Sequence, residues 1–269
     1  INEFLKTDTE IHSGPEDDLV LKGSIKFNNV SFRYPDTGIQ AIKNVSFEAR
    51  PGEFLAIIGR TGSGKSTIAN LLMRMYDCDS GSILIDGREI QKLELQNYRQ
   101  QTGFVPQEVF LFSDTIFNNI AFGLNSAETE KVEQAAKDAA VYQNIIEFER
   151  GFDTMIGERG ITLSGGQKQR LSIARAIIKE PQILIFDDCL SAVDTRTEEQ
   201  ILNSLGRIMK NKTSILIAHR VSTIKNADRI LVMQEGEIIE QGTHDDLMAI
   251  KGSYFELFEK QLLEEETTE

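Results

Sequence analysis

The chain has 269 residues, of which 40% are hydrophobic, and a formal net charge of −13. This length and composition are typical of one large globular domain and exclude a disordered chain. No apolar run reaches the ~18 residues that a membrane-spanning helix needs, and the negative charge disfavours a nucleic-acid partner. Cys78 and Cys189 are far apart and fit no metal-ligand spacing, which is typical of a reducing cytosol.

The first segment, residues 1–20, is polar and acidic, which predicts a linker or arm. The chain begins at Ile1 without Met, which is compatible with a fragment of a longer protein. From Ile25 onward, apolar and polar residues alternate in short runs, and they do so again around Phe47. This period-two alternation predicts antiparallel strands near the N-terminus.

A glycine-rich segment follows the apolar run 54–58 and precedes residues 68–73, whose apolar spacing predicts a helix. Strand, glycine-rich turn and helix are the context of a phosphate-binding P-loop, in which backbone N–H groups and the helix dipole favour a polyanion. Lys65 supplies a charge for the phosphates and Ser66 a hydroxyl for Mg²⁺. An accidental glycine-rich turn is the alternative. The predicted nucleotide-binding residues here are Gly59, Arg60, Thr61, Gly62, Ser63, Gly64, Lys65, Ser66 and Thr67.

The middle of the chain is predicted to be helical. After a Pro-Gln step at 106–107, helices are expected over 115–121 and 126–141, the second with Ser126 as its N-cap. Because this region lacks β-branched strand runs, we interpret residues of about 108–170 as an inserted α-helical subdomain.

The last third of the sequence alternates helices with strands. The expected elements are a helix over 165–179, a buried strand over 183–186, a helix over 195–210 capped by Asp194, a strand over 214–217, a hairpin around 231–239, a capping box at 243–246 and a last helix over 254–263. This alternation, with the phosphate loop at the carboxyl end of a strand, predicts an α/β core with a mostly parallel sheet.

Two further motifs carry chemistry. Asp187 ends an apolar strand, where its carboxylate can hold Mg²⁺, although a turn aspartate capping the next element is the alternative. The sequence Ser-Gly-Gly-Gln at 164–167 opens a helix whose N-terminus favours anions, and in isolation it is equally compatible with a flexible loop. In this order, the motifs closely resemble the P-loop, signature and Walker B strand of the ATP-binding cassette (ABC) family. The resemblance extends from about Ser24 to Leu263.

The ABC resemblance implies a P-loop NTPase (RecA-like) core with an N-terminal antiparallel β layer, and ATP and Mg²⁺ as cofactors. Tyr34 lies where the family stacks an aromatic ring on adenine, Gln107 matches the Q-loop glutamine, and His219 matches the switch histidine. Taken alone, Tyr34 and His219 would more simply be core or capping residues. The implied metal-holding residues are Ser66, Gln107 and Asp187.

In the family, one signature cannot reach the P-loop of its own chain. The resemblance therefore implies that a second ABC cassette is a partner and that two cassettes sandwich two ATP molecules head to tail, with closure on binding and loosening on hydrolysis. The residues implied to act in trans are Ser164, Gly165, Gly166, Gln167 and Asp194, the last in a D-loop at 191–194. The implied catalytic residues are Lys65, Gln107, Asp188 and His219.

Segments 106–112 and 154–160 look like stretches of ABC exporters, in which the second, the X-loop, lies near the coupling helices of the membrane domain. Residues 1–20 would then be the connection from a transmembrane domain, and residues 21–269 the nucleotide-binding domain. The resemblance places this domain at the cytoplasmic face of a membrane, with no membrane span and no nucleic-acid partner of its own.

Asp188 departs from the family pattern, because a glutamate that orients or deprotonates the attacking water usually follows the Walker B aspartate. Aspartate is one methylene shorter, and a misplacement of ~1 Å can cost about 10²-fold in rate. An aspartate at this position resembles the pattern of one cassette in heterodimeric exporters. In those proteins one of the two composite sites hydrolyses ATP slowly. A homodimer that tolerates aspartate and an engineered substitution are the alternatives.

Two rival functions follow from the same motifs. The first is a largely non-hydrolytic ATP-binding module that regulates dimerisation with a competent partner cassette. The second is an ABC ATPase of DNA repair or translation, which predicts a coiled-coil insertion or a tandem cassette, and the sequence contains neither.

Overall fold

Two β-sheets and the helices around them form the chain, which a computed structural model describes over residues 11–124, 126–157, 162–190 and 195–266. The strands are β1 (Ile25–Arg33), β2 (Gln40–Ala49), β3 (Phe54–Gly59), β4 (Ser80–Ile85), β5 (Arg88–Glu89), β6 (Thr102–Val105), β7 (Ile183–Asp187), β8 (Thr213–Ile217), β9 (Arg229–Gln234) and β10 (Glu237–Gly242). The helices are α1 (Lys65–Leu72), α2 (Leu95–Gln100), α3 (Ile116–Ala121), α4 (Thr129–Asp138), α5 (Tyr142–Ile146), α6 (Gly165–Ile177), α7 (Thr195–Met209), α8 (Val221–Ile224), α9 (His244–Ile250) and α10 (Ser253–Glu266).

The larger sheet has the strand order β10-β9-β3-β8-β7-β6, and its pairs are parallel except for the β9–β10 hairpin. The smaller sheet has the order β2-β1-β4-β5 and is antiparallel throughout. The chain is therefore an α/β protein with a mostly parallel sheet beside an antiparallel N-terminal layer, as the sequence predicts.

The larger sheet is buried on both faces, because its strands alternate between two apolar clusters. Leu55 and Ile57 of β3 pack with the antiparallel sheet and α1, whereas Ala56 and Ile58 pack with α3, α4 and α6. All five residues of β7 and of β8 are buried. Continuous apolar runs of this kind are expected for parallel strands covered on both sides.

Four neighbouring strands of this sheet end at the same edge. β3, β8, β7 and β6 are parallel, with Ile57 paired to Ile217, Asp187 paired to Ile217, and Val105 paired to Phe186. The P-loop follows β3, Gln107 lies after β6, Asp187 and Asp188 lie at the end of β7, and His219 lies after β8. Ligands of open α/β sheets bind at this carboxyl edge.

The predicted helical region contains α3, α4 and α5 packed near α6. The prediction of one helix over 126–141 with Ser126 as N-cap is wrong, because α4 begins at Thr129 after Glu128 and ends at Asp138. Ala140 has a φ of 52°, and Val141 N–H donates to Ala136 O in a Schellman turn. The turn breaks the helix and buries Val141.

Other predicted boundaries differ by a few residues. Helix α6 ends at Ile177 rather than at 179, and α10 extends to Glu266. The capping box at 243–246 is confirmed at the start of α9. Helix α7 begins at Thr195, but the proposed Asp194 cap lies outside the described residues.

Residues 11–22 lie against the rest of the chain. Gly14 N–H and Glu16 N–H donate to Leu93 O and Lys92 O, and Arg88 Nη1 lies 3.2 Å from Glu16 Oε2. The division between a linker and a cassette at residue 20 stays a prediction. Within the described ranges, no helix combines the length and apolar character that crossing a bilayer requires.

Candidate nucleotide-binding site

Helix α1 begins directly after the glycine-rich loop. Gly64, its N-cap, has a φ of 100°, and a Cβ there would lie 2.4 Å from Ala41 O. Only glycine fits this backbone without strain. No side chain caps the helix. Its first N–H groups and positive dipole end therefore form a site for an anion.

A cleft of about 470 Å³ opens in front of this loop. The cleft is lined by Tyr34, Ile39, Gln40, Ala41, Lys43, Thr61, Gly62, Gly64, Lys65, Ser66, Thr67, Gln107, His219, Glu235 and Gly236. Its volume is in the range of small-molecule sites. Tyr34, six of the nine predicted P-loop residues, Gln107 and His219 therefore line the same cleft, whereas Gly59, Arg60 and Ser63 do not; the roles of all of them in nucleotide binding stay predictions.

Lys65 is only 4% exposed, and its Nζ donates to Gly59 O at 2.8 Å and Arg60 O at 3.0 Å. Burial lowers the pKa of its ammonium group, whereas Asp188 and Asp187 act to raise the pKa. A buried cation held inside an N–H-lined loop favours an anionic ligand, since the anion would compensate its desolvation.

Ser66 and Asp187 form the candidate metal site. Ser66 Oγ donates to Asp187 Oδ1 at 2.9 Å, across 121 positions of sequence. Burial raises the pKa of Asp187, and the Ser66 hydrogen bond opposes that shift. A hydroxyl and a buried carboxylate are the hard oxygen ligands that Mg²⁺ prefers, and phosphate oxygens and water normally complete its octahedral shell. These residues fit Mg²⁺ held jointly with a nucleotide. Within the described ranges, no three His, Cys, Asp or Glu side chains converge as an all-protein metal site.

Asp188 lies between the predicted Q-loop and switch residues. Gln107 Nε2 donates to Asp188 Oδ2 at 3.5 Å, and His219 Nε2 lies 3.9 Å from the same oxygen. Burial lowers the pKa of His219, and the nearby Lys65 lowers it further, while Asp188 acts to raise it. Asp188 has a φ of 46°, and its N–H donates to Ile217 O. The structure therefore places Gln107 beside Asp188. The metal-holding role of Gln107 stays a prediction.

Tyr34 forms one wall of the cleft. Its hydroxyl lies 3.0 Å from Thr67 Oγ1, and its ring makes edge contacts with Phe32 and Tyr76 at centroid distances of 5.0 and 5.4 Å. Asn70 Nδ2 also donates to the hydroxyl at 3.4 Å. These contacts orient the ring at the edge of the cleft, where a flat base can stack on it.

The signature residues are arranged differently. Ser164 Oγ accepts from Gln167 N–H at 3.2 Å, and Gln167 Oε1 accepts from Ser164 N–H at 2.9 Å, which forms a capping box at the start of α6. Residues 164–167 do not line the cleft. Asp194 and the rest of the segment 191–194, together with 158–160 of the predicted X-loop, lie outside the described residues.

Sequence reasoning missed several cleft residues. Ala41 and Lys43 come from β2, and Glu235 and Gly236 from the β9–β10 turn. Gly236 N–H donates to Ser63 O, and Lys43 N–H donates to Gly236 O, so the hairpin ties β2 to the P-loop. The sequence signal for these residues was the Glu-Gly turn at 235–236. This turn predicts a hairpin but does not show that the hairpin lies beside the P-loop.

A sequence model of the ABC transporter family matches residues 42–191. An ATP-dependent lipid A-core flippase of Methylobacillus flagellatus is 46% identical over 260 residues, covering 96% of this chain and 45% of the relative. The ATP-binding cassette sub-family B member 6 of Xenopus tropicalis is 46% identical over 239 residues, covering 89% of this chain and 28% of the relative.

A solved structure of a bacterial Atm1-family ABC exporter with ATP bound is similar in fold, with a TM-score of 0.91 and 44% sequence identity. The alignment covers 96% of this chain and 46% of the exporter chain. The chain therefore spans less than half the length of these relatives.

Proposed function

Because this chain belongs to the ABC transporter family, we propose that it binds ATP with Mg²⁺ at the P-loop and hydrolyses it to drive export across a membrane. The observation that carries this proposal is the contact of Ser66 Oγ with Asp187 Oδ1 at 2.9 Å, beside a cleft that also contains Lys65, Gln107 and His219. One hydroxyl, one carboxylate and one buried cation at a helix N-terminus match what a phosphoryl group and its metal require.

Each residue has a defined part in the proposed reaction. Lys65 and the N–H groups of the loop bind the phosphates, and Tyr34 stacks on the base. Ser66 and Asp187 would hold Mg²⁺, which would supply positive charge to neutralise the phosphates. Phosphoryl transfer depends on positioning and charge stabilisation more than on covalent chemistry, so this arrangement supplies most of what hydrolysis requires.

Asp188 orients the attacking water in the proposed mechanism. Its support is that Gln107 and His219 both approach the same carboxylate oxygen, Oδ2. Burial lowers the pKa of His219, which favours the neutral imidazole, and the ring can share a hydrogen bond with the water or the γ-phosphate. Because the aspartate side chain is short, we propose that hydrolysis at this site is slow.

A second cassette completes the site in the proposed mechanism. Ser164 and the N–H groups of Gly165 and Gly166 would bind the γ-phosphate on the partner's P-loop, together with Gln167 and Asp194. Support comes from the cleft lining, which includes none of residues 164–167. The partner is a copy of this chain or, in a heterodimer, a cassette that carries the usual glutamate.

We propose that the domain docks on a transmembrane domain at the cytoplasmic face of a membrane. Phe110, Phe112 and Phe122 are 67, 37 and 52% exposed, and their rings are in contact. The guanidinium of Arg175 lies 5.6 Å from the Phe112 ring centroid. Phe110 and Phe112 of this exposed aromatic cluster follow Gln107 closely in the chain. A membrane domain bound to the cluster would therefore contact the segment that carries Gln107, whose amide donates to Asp188.

The second candidate function is a largely non-hydrolytic ATP-binding module that regulates dimerisation. Asp188 is the observation that favours it, because a carboxylate that is too short for the water leaves ATP binding intact while slowing hydrolysis.

Replacing the short carboxylate tests both candidates. The variant Asp188→Glu should raise the ATPase rate of the purified chain by up to about 10²-fold, which corresponds to roughly 2.7 kcal/mol of barrier. The same substitution at the exposed Asp245 of α9, outside the cleft, is the matched control and should leave the rate unchanged. Radiolabelled ATP measures binding and turnover in one experiment.

An unchanged rate in Asp188→Glu would refute the idea that Asp188 limits hydrolysis. Binding without turnover in both proteins, followed by turnover when a glutamate-bearing cassette is added, would favour the regulatory module. Failure to bind ATP and Mg²⁺ at all would overturn the proposed function itself.

A further inference from the structure

The C-terminal helix α10 turns a polar side chain toward the protein and apolar side chains toward solvent. Tyr254 is buried, and Leu257 and Phe258 pack against the core. Gln261 lies seven residues after Tyr254, on the same face of the helix, and is half-buried. The next residue, Leu262, is 45% exposed. Packing alone would favour an apolar residue such as leucine at the inward position that Gln261 occupies. The hydrogen bonds of Gln261 therefore have to explain the polar residue there.

The oxygen and the nitrogen of the Gln261 side-chain amide both form hydrogen bonds to the backbone turn at 219–221. Its Oε1 accepts from Val221 N–H at 2.8 Å, and its Nε2 donates to His219 O at 2.5 Å. Val221 begins α8, whose N-cap, Arg220, makes no side-chain capping bond. Gln261 therefore supplies, from 40 residues away, an acceptor for one of the first N–H groups of α8, which have no partner within the helix.

The bridged turn carries the switch histidine. Ala218 N–H donates to Ile57 O, which fixes the end of β8 to the strand that leads into the P-loop. The Gln261 bridge fixes the other side of the turn, so the backbone on both sides of the His219 side chain is held. The imidazole Nε2 lies 3.9 Å from Asp188 Oδ2 and lines the nucleotide cleft.

The start of α10 is itself anchored, so that the bridge has a rigid base. Tyr254 Oη lies 2.8 Å from His244 Nδ1 of α9, and Glu240 of β10 accepts from the N–H groups of Ser253 and Tyr254. The helix that carries Gln261 is thus tied to the hairpin whose turn, at Glu235 and Gly236, forms another part of the cleft wall.

We propose that Gln261 is a positioning residue for ATP hydrolysis: its amide holds the His219 backbone so that the imidazole faces Asp188 and the γ-phosphate. This inference rests on the proposed ATPase function. Gln261 does not line the cleft, so it would act on the rate of the chemical step and not on nucleotide binding.

The test replaces the amide without changing the size of the side chain. In Gln261→Met, which removes both hydrogen bonds, kcat of the purified 269-residue chain should fall about tenfold while KM for ATP stays the same. Gln261→Glu keeps the acceptor for Val221 N–H but places a carboxylate oxygen against His219 O, so its kcat should also fall. Leu262→Met, the exposed neighbour, is the control and should retain parental kcat.

A double-mutant cycle distinguishes positioning from general destabilisation. In a His219→Ala background, Gln261→Met should cause no further loss in kcat, because the group that it positions is gone. Amide hydrogen exchange, measured by mass spectrometry on the peptide that contains Val221, should accelerate in Gln261→Met and stay parental in Leu262→Met. This second readout needs no ATP.

Parental kcat in Gln261→Met would overturn the inference, as would an equal loss of kcat with and without His219, which indicates a merely structural role. If the parent chain bound but did not hydrolyse ATP, the proposed hydrolysis would fail. Hydrogen exchange alone would then test whether Gln261 holds the backbone at 219–221. Unchanged exchange at Val221 in Gln261→Met would show that it does not.

Discussion

Helix α1 begins without a side-chain cap, whereas α6 begins with a reciprocal one. Gly64 leaves the first N–H groups of α1 facing the cleft beside the buried Lys65. At α6, Ser164 and Gln167 satisfy each other. Both termini carry glycines and the positive end of a helix dipole, so they look alike as anion sites in the sequence.

The difference indicates how each terminus can take part in binding. The α1 terminus has no side-chain cap and lies beside the buried Lys65, so we propose it as the phosphate site of this chain. At the α6 terminus the capping box uses Ser164 Oγ and the N–H of Gln167, and we propose that the N–H groups of Gly165 and Gly166 engage a phosphate that another chain presents. A capping interaction is worth about 1 kcal/mol, so its rearrangement costs little on assembly.

The largest expected effect is at α1. Lys65→Ala removes the buried cation of the loop and should lower ATP hydrolysis by about 10²–10³-fold and weaken ATP binding. Lys26→Ala, which removes an exposed lysine paired with Glu48, is the control and should leave the ATPase rate unchanged. If Lys65→Ala bound and hydrolysed ATP like the parent, the α1 terminus would not be the phosphate site.

A complementation experiment tests whether α6 acts in trans. Ser164→Glu places a negative charge where the partner's γ-phosphate would lie and should lower hydrolysis by about 10²-fold. A mixture of Ser164→Glu and Lys65→Ala chains should recover part of the activity, because a head-to-tail mixed dimer contains one site with neither change. Each variant mixed with itself is the control. Absence of recovery would place Ser164 and Lys65 in the same site of one chain.

The smallest effect concerns a third helix start. Glu94 caps α2 by accepting from Gln96 N–H and Asn97 N–H, and the Asn97 bond, followed by the Gln96 bond, lowers the pKa of its carboxyl group. A lowered folded-state pKa contributes stability above the unfolded pKa, and this contribution is lost as the pH falls through the folded value.

Glu94→Gln should therefore lower the free energy of unfolding at pH 7, and the difference from the parent should shrink as the pH falls below the usual carboxyl value of 4.5. Urea unfolding at a series of pH values measures this difference. Glu237→Gln, at an exposed position at the start of β10, is the matched control. A difference that stayed constant with pH would show that Glu94 does not act as a charged cap.

The sequence predicted the elements whose apolar pattern is strong. The runs that became β3, β7 and β8 contain three to five consecutive apolar residues rich in isoleucine, and their burial on both faces leaves few alternatives. It failed at 126–141, where apolar spacing continues through Val141 but the chain turns at Ala140. A helical period indicates which residues face the core and does not show whether the backbone reaches them in one helix or two.

The cleft residues that belong to the P-loop or match the ABC pattern were named from the sequence, and those brought in by tertiary packing were not. Tyr34, most of the P-loop, Gln107 and His219, which were named from the sequence, line one cleft, and their roles there stay predictions. Gln261 and Glu235 were missed, because neither belongs to a motif and each acts on a segment far away in sequence. A polar residue at an inward position of α10 was the single signal for Gln261, and it has meaning only once the face of the helix is known.

The sequence by itself determined the class of fold and the phosphate loop, because strand periodicity, glycine spacing and a lysine at a helix start are local properties of the chain. Only the tertiary structure decided that Ser66 meets Asp187, that Gln107 and His219 approach one oxygen of Asp188, and that residues 164–167 lie outside the cleft. These relations depend on the order and register of parallel strands. Contacts between residues far apart in the chain set that order, and a local pattern does not contain it.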